Sequence, residues 1–395
     1  MPPKKLLWLS NSPTTPSAFG KVTAEVCTRL LKRGYDVIAA GNQTQTSSYR
    51  YGDLLVLGRL RHEFFADVIR QYMQLYNRDY FITFTKISSL QWIPQLYLDL
   101  CTKWIAYATI ESELMPPAEE TLYPAREALA VLAPSKFNYN QLKKYIDTVY
   151  LCQLGVNEEK YYPESKDVIE RERVGIGIRR DDFVFGTVSM NLWDRKDLPR
   201  LIKAFSIFRK RNPDANVWLY LHTNIRRAEN ERSYPLGLIA AKYGVADRIL
   251  SPKYNPELRP FSDDQMRILY NIFDVYITAT RGESFCIPIL ESMACGTPAI
   301  APKHTALPEL IGEGNERGWL VKCSDTIIPL YFPEFDEQHI VDTDELVKTM
   351  EHIYYNREEI ESRKPKCIEF ARTMSWDRLI DEQLIPALEE ICGSD

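Results

Sequence analysis

No apolar run in the 395 residues approaches the roughly 20 needed to cross a bilayer, which excludes a helical membrane span. Charge of one sign is missing too. The 49 Lys and Arg stand against 54 Asp and Glu, a net charge of −5 with no dominant basic face. Nucleic acid is thereby excluded as the main partner, since phosphate neutralisation needs clustered cations. The eight cysteines form no Cys-x-x-Cys pair, and the five histidines do not gather near them. That excludes a zinc site and points to reduced thiols. No Gly-x-Gly-x-x-Gly follows the first strand of either half, which argues against a nicotinamide dehydrogenase. There is no internal repeat. The first residues enter a strand directly, without a signal peptide's long apolar core, so a cytoplasmic protein is expected.

What is present suits two domains of ordinary size, with 45% hydrophobic and 26% charged residues. Strand patterns over 5–9, 36–40, 54–57, 80–84 and 104–109 alternate with helical patterns. The first helix carries Val22, Val26, Leu30 and Leu31 on one face, and a second is expected over 62–76. Alternation of this kind implies a parallel sheet. Ser135 reads as a helix N-cap after the strand that begins at Ala130. Residues 164–181 are mostly charged, with Gly175 and Gly177, which is linker chemistry. A second series starts at Phe183, with the stripe Leu198, Leu201, Ile202, Phe205 and Phe208 on its first helix. Ser262-Asp263-Asp264-Gln265 is a capping box.

The chain is organised around residues 273–301. A β-branched run over 275–279 is a buried strand, broken by Arg281-Gly282. Pro288 suits a helix's first turn, where its missing N–H has no partner anyway. Gly296 can end that helix in the left-handed conformation. Glu283 then lies in the strand-to-helix loop and Glu291 in the helix's first turns. Such a loop opens into the ligand crevice of a parallel sheet, and the helix N-terminus suits a phosphate. Two carboxylates beside it can accept from sugar hydroxyls. By themselves they equally suit the helix dipole.

The wording Glu283-Ser284-Phe285-Cys286-x-Pro288-x-Leu290-Glu291-Ser292-Met293-Ala294-Cys295-Gly296-Thr297-Pro298 resembles the Glu-x7-Glu signature of retaining GT-B glycosyltransferases of family 4. The resemblance implies that Glu283 contacts the donor sugar and Glu291 the nucleotide ribose. It adds Ser284, Phe285 and Cys286 as donor contacts, although the family usually has Gly at 284 and 286. Arg195-Lys196 resembles the family's Arg-Lys pair on the diphosphate, whose charge grows as the glycosidic bond breaks. Two solvated loop bases are the plainer reading. The family's earlier Arg in that loop falls at Met190 or Asn191. Gly20 matches the glycine-bearing N-terminal loop that faces the donor phosphates and the acceptor, or is a simple turn residue. Glu111 takes the place of the family's loop His beside the reacting sugar, or is an exposed loop acid. Residues 150–163 match the segment that closes the family's first domain, and residues 304–312 its loop near the diphosphate.

The resemblance thus implies an α/β GT-B fold: two Rossmann-like parallel-sheet domains facing a central cleft, with a C-terminal helix crossing back. The expected organisation is an acceptor-side domain over 1–165, a linker over 166–180, a nucleotide-sugar domain over 181–374 and a returning helix over 375–395. The implied activity is retaining transfer of a sugar from a nucleotide-diphosphate sugar to a carbohydrate, lipid-linked or protein hydroxyl. An acceptor-independent hydrolase or isomerase, or an inactive nucleotide-sugar-binding protein, are the alternatives. No cofactor is implied beyond the donor. No Asp-x-Asp lies in a donor-side loop, so no metal is expected. The Pro-, Tyr- and Phe-rich loop over 323–340 is a candidate contact with a partner or a membrane surface.

Overall fold

The first strand, β1 (Lys5–Asn11), is apolar and buried through its middle. The structure is a computed structural model that describes residues 4–42, 47–58, 68–114, 118–191, 194–226, 233–328 and 336–393. After β1 come α1 (Ala18–Lys32), β2 (Asp36–Asn42), β3 (Tyr49–Tyr51), β4 (Leu54–Leu57), α2 (Ile69–Leu75), β5 (Tyr80–Lys86) and α3 (Trp92–Tyr97). Then follow β6 (Trp104–Thr109), β7 (Glu113–Leu114), α4 (Ala118–Glu127), β8 (Ala130–Ala133), α5 (Lys136–Leu142) and β9 (Val149–Leu151). The expected helix over 62–76 is seen only from Ile69 on, because its start lies outside the described residues.

The sheet runs β3-β4-β2-β1-β5-β6-β8-β9, parallel except for the β3/β4 hairpin. Strands buried on both faces read as near-continuous apolar runs, which β6 (WIAYAT) and β8 (AVLA) are. Leu7, Phe81, Trp104 and Val131 belong to one core, with Phe81 and Trp104 stacked at 6.3 Å. The order reverses at β1/β5, so the crevice of this sheet lies beyond the C-terminal ends of those two strands.

The chain continues with α6 (Lys166–Gly175), β10 (Phe183–Val188), α7 (Leu198–Arg211), β11 (Val217–His222), α8 (Leu236–Lys242), β12 (Ile249–Leu250) and α9 (Asp263–Ile272). Next are β13 (Val275–Ile277), α10 (Ile287–Ala294), β14 (Ala299–Pro302), α11 (Leu307–Ile311), β15 (Gly318–Val321), β16 (Cys323–Ile327), β17 (Asp336–Val341), α12 (Thr343–Tyr355) and α13 (Glu358–Thr373). The second sheet, β12-β11-β10-β13-β14-β15, is parallel throughout and reverses at β10/β13. Its core holds Phe185, Phe205, Leu219, Val275 and Ile300. The capping box on α9 is complete, and Gly296 ends α10 at φ +81°.

The chain divides into two units. Of the described residues, one comprises 4–155, 336 and 376–393, the other 156–328 and 337–375. Two boundaries differ from the expectation. The first unit ends at Gly155 rather than at 165. The charged stretch over 166–180 is no free linker: α6 occupies most of it. Arg173 is buried there, donating to Ile272 O at 3.0 Å and pairing with Asp274 at 3.0 Å, which fixes α6 to the second unit. Composition misled because a single charge of the stretch, Arg173, is buried and anchors the helix while the rest face solvent. The expected loop over 323–340 also differs, since β16 and β17 form an antiparallel pair and residues 329–335 lie outside the described residues. The terminal segment, α14 (Trp376–Leu379), a π turn over Ile380–Leu384 and α15 (Ile385–Gly393), belongs to the first unit. Asp377 there accepts from Arg29 of α1 and from Arg33, its C-cap, each at 3.0 Å. No helix of the described residues is long and apolar enough to cross a membrane.

Candidate active site

The reversal point of the second sheet brings together the loops after β10 and β13. The first carries Arg195 and Lys196 in a 3-10 turn over Asp194–Lys196, and the second carries Glu283. Glu283 is 6% exposed and its carboxylate takes both cations: Arg195 Nη1 at 3.1 Å on one oxygen and Lys196 Nζ on the other. Arg195 also donates to Gly282 O at 2.7 Å and accepts from Arg281 N–H at 2.7 Å. Beside them Asp197 accepts from Arg281 at 2.9 Å and from Arg200 at 2.8 Å. Four cations face Glu283 and Asp197, and Asp194, which accepts from Tyr234 Oη in the same turn, leaves a surplus of one positive charge at the mouth of the sheet.

The backbone here is held in conformations that side chains resist. Five described non-glycine residues have positive φ, and three of them are Asp197 (41°), Cys286 (77°) and Thr305 (47°), one on each loop of this mouth. The other two are Asn77 and Asn315, of the residue type that tolerates the left-handed region. Strain of about 1–3 kcal/mol per residue persists only where surroundings enforce it, and it clusters at functional sites.

Cys286 is the N-cap of α10, with Pro288 in the first turn. Burial, with the nearby Glu283 charge second, pushes its thiol up to about 12, so it stays protonated. Phe285 is buried in the unit and Ser284 half-buried, so of these two only Ser284 has a side chain near solvent. Glu291 is 3% exposed in α10, where one oxygen accepts from Tyr270 Oη at 2.8 Å. Burial and then the Glu291 charge raise the Tyr270 pKa well above normal, so its hydroxyl remains a donor.

Further polar groups end at the same edge. Ser189 Oγ, His222 Nδ1 and Thr223 Oγ1 are buried at the ends of β10 and β11 and have no hydrogen-bond partner among the described residues. Buried polar atoms are normally satisfied, so these three on adjacent strand ends are open to hydrogen bonds from water or a ligand. His222 packs edge-on against Phe261 at 4.6 Å, and burial lowers its pKa to about 4, leaving it neutral. At the position of the family's further Arg, the Asn191 side chain is used up on Asn224 O, Tyr234 O and Tyr234 N–H. Met190 is exposed.

Gly20 and Glu111 lie in the first unit. A Cβ on Gly20 would fall 2.4 Å from Thr15 O and 2.6 Å from Ser12 O, so the residue lets the loop fold onto α1. Its N–H donates to Ser17 Oγ at 3.1 Å. Glu111 is not the exposed loop acid of the plainer reading. It is 8% exposed and paired with Lys86 Nζ at 2.5 Å, where β5 and β6 end. Asn138 fixes the preceding backbone, donating to Ile110 O and accepting from Ile110 N–H, each at 2.9 Å.

The structure therefore gathers Arg195, Lys196, Glu283, Ser284 and Cys286 on adjoining loops of one unit, with Glu291 on the helix behind. Sequence reading missed Asp197 and Tyr270, whose bonds with Arg281 and Glu291 span 84 and 21 positions, whereas His304 and Thr305 lie on the loop it placed near the diphosphate. Among the described residues no group of three or more His, Cys, Asp or Glu is placed to hold a metal ion.

Comparison with known proteins places this site in context. A family model described as glycosyl transferases group 1 matches residues 168–327. The chain is 27% identical over 215 residues to D-inositol 3-phosphate glycosyltransferase of Corynebacterium glutamicum (strain R), covering 54% of this chain and 49% of that protein. It is 23% identical over 180 residues to mannosylfructose-phosphate synthase of Agrobacterium fabrum, covering 45% and 37%. The chain thus spans half or less of the length of these curated relatives. Sucrose-phosphate synthase from Thermosynechococcus elongatus superposes with a TM-score of 0.77 at 16% identity, over 99% of this chain and 100% of that one. Anabaena HepE in complex with UDP and glucose gives 0.69 at 15% identity, over 98% and 100%. The fold is the α/β GT-B fold with two parallel sheets that the sequence led one to expect.

Proposed function

We propose that the chain is a retaining glycosyltransferase of the family 4 type, transferring a sugar from a nucleoside-diphosphate sugar to an acceptor hydroxyl. The observation that carries this reading is the convergence of Arg195 and Lys196 on Glu283 at the sheet's reversal point, in front of the α10 N-terminus. A net positive mouth at a helix N-terminus suits the negative charge of a sugar diphosphate. The HepE complex with UDP and glucose, on the same fold, supports this donor class. In this reading Glu283 meets the donor sugar and Glu291 the ribose. Ser189, His222 and Thr223, all neutral, suit the uncharged base end rather than the diphosphate.

Transfer then needs no covalent enzyme intermediate. The bond from the anomeric carbon to the diphosphate oxygen breaks, and the acceptor oxygen bonds to the same face. The acceptor's proton goes to a departing phosphate oxygen, while Arg195, Lys196 and the first-turn amides of α10 take up the growing charge. Glu111 and Gly20 stand on the acceptor side. The cations fill the role a divalent ion has elsewhere, so turnover is expected to persist in EDTA. The test is turnover of a nucleotide-sugar panel with and without added acceptor. Transfer supports the reading, acceptor-independent release of free sugar would make the chain a hydrolase, and binding without turnover would make it a binding protein. With an α-linked donor, proton NMR of fresh product should show an α linkage. A β linkage would mean inversion, with Glu111 as the base.

A further inference from the structure

Glu283 is held a second time, through its backbone, by the loop after β14. Its N–H donates to Thr305 Oγ1 at 3.1 Å, and its carbonyl accepts from Ala306 N–H at 3.4 Å. Thr305 Oγ1 lies 3.0 Å from His304 Nδ1, and His304 Nε2 lies 2.8 Å from Thr280 O. A carbonyl can only accept, so Nε2 carries the proton. His304 is buried, which lowers its pKa to about 4, so the ring is neutral and Nδ1 is bare. Nδ1 must therefore accept the Thr305 hydroxyl proton, and the Thr305 lone pairs turn to Glu283 N–H. One tautomer satisfies every atom in the row. The His339 ring stacks on His304 at 5.1 Å and 10°, and His339 N–H donates to Arg281 O at 2.9 Å, so β17 clasps the same loop. A β-branched Thr kept at φ 47° shows that the arrangement is enforced.

We propose that His304 and Thr305 form a positioning relay for Glu283: a neutral imidazole fixed as the Nε2–H tautomer aims the Thr305 hydroxyl, which holds the Glu283 amide and so aims its carboxylate at Arg195, Lys196 and the donor sugar. Neither residue touches reacting atoms. The relay rests on the transferase reading for its effect on turnover, though not for its geometry. A carboxylate misplaced by loss of the relay slows the chemical step more than it weakens donor binding.

The test has two arms. Ring ¹⁵N shifts of the wild-type protein need no activity, and His304→Gln identifies the signal among five histidines. The relay requires a neutral Nε2–H ring from pH 8 down to pH 5. A ring that titrates near an ordinary histidine value, or an Nδ1–H tautomer, overturns it. The second arm compares Thr305→Ser, which keeps the hydroxyl, with Thr305→Val, which removes it at nearly constant shape. Turnover should fall about 10- to 100-fold in the Val variant and stay within about threefold in the Ser variant, with donor KM little changed in both. Likewise His304→Asn, which keeps an acceptor near Thr305, should retain more turnover than His304→Gln, which keeps only the donor to Thr280 O. Equal Ser and Val variants, or a change confined to KM, overturn the relay. If the wild type turns over no nucleotide sugar, the transferase reading fails. The relay is then decided by hydrogen exchange, where Thr305→Val must speed the Glu283 amide about tenfold.

Discussion

The two sheets reverse their strand order in the same way, yet their reversal points are built from different chemistry. In the first unit the ends of β1 and β5 carry hydroxyls. Ser10 donates to Phe84 O at 2.7 Å, and Ser12 shares hydrogen bonds with Thr14 and Tyr49. One ion pair, Lys86–Glu111, stands beside them. In the second unit the corresponding ends carry four cations, two buried carboxylates and three left-handed non-glycine residues. Topology supplies a crevice in both units, and side-chain charge decides what each can hold. A neutral, hydroxyl-lined mouth suits a polyol acceptor. A strained, cationic mouth suits a diphosphate whose charge grows during reaction.

Removing a cation from the second unit has the largest expected effect. Lys196→Ala should lower turnover by about 100-fold or more, the scale of losing one donor to a developing oxyanion, and should raise donor KM much less. Steady-state kinetics that showed only a KM effect would make Lys196 a ground-state contact. The next effect is acid lability that sets in first in one unit. Among the described residues every histidine lies in the second unit, and His222 and His304 are held neutral with pKa values of about 4. Unfolded, each takes a proton near pH 6.5, so between pH 6.5 and 4 the unfolded chain binds more protons. Stability therefore falls as pH drops through that window, by on the order of 3 kcal/mol per residue, and no further below it. Hydrogen exchange at pH 5 against pH 7 should show the second unit loosening first, and a uniform loss would contradict the assignment.

A smaller effect sharpens the contrast within the second unit. Glu291→Gln should weaken nucleotide binding by about 1.5–3 kcal/mol, the range for a hydrogen bond to a charged group, as calorimetry would show. Unchanged affinity removes the ribose role. The smallest effect belongs to the first unit. With same-face attack Glu111 is no base, so Glu111→Gln should cost turnover no more than about tenfold. A loss a hundred times larger would point to inversion.

Much of this contrast was legible in the sequence wherever the governing contact is local. Strands 54–57 and 104–109 coincide with β4 and β6, because a short buried run has a clear pattern. The Ser262 capping box and the Gly296 helix end were readable for the same reason. The pairing of Lys196 with Glu283 spans 87 positions, and that of His304 with Thr280 spans 24, so no window could show them. The charged stretch over 166–180 failed as a linker because composition does not reveal that Arg173 is buried against Ile272 O. The left-handed backbone at Cys286 was foreshadowed by the glycine the family usually has there, whereas Thr305 carries no such sign.

In the proposed function the cationic mouth of the second unit holds a sugar-linked diphosphate. Thermal denaturation of the wild type and of Lys196→Ala tests it most directly, with matched nucleoside, nucleoside monophosphate, nucleoside diphosphate and nucleotide-sugar ligands. A ligand at 100 times its Kd adds about 2.7 kcal/mol of stability. A clear upward shift is expected for the diphosphate and the nucleotide sugar, little for the nucleoside and monophosphate, and loss of the shift in Lys196→Ala. Equal shifts for monophosphate and diphosphate, or a diphosphate shift that survives the loss of Lys196, would contradict it.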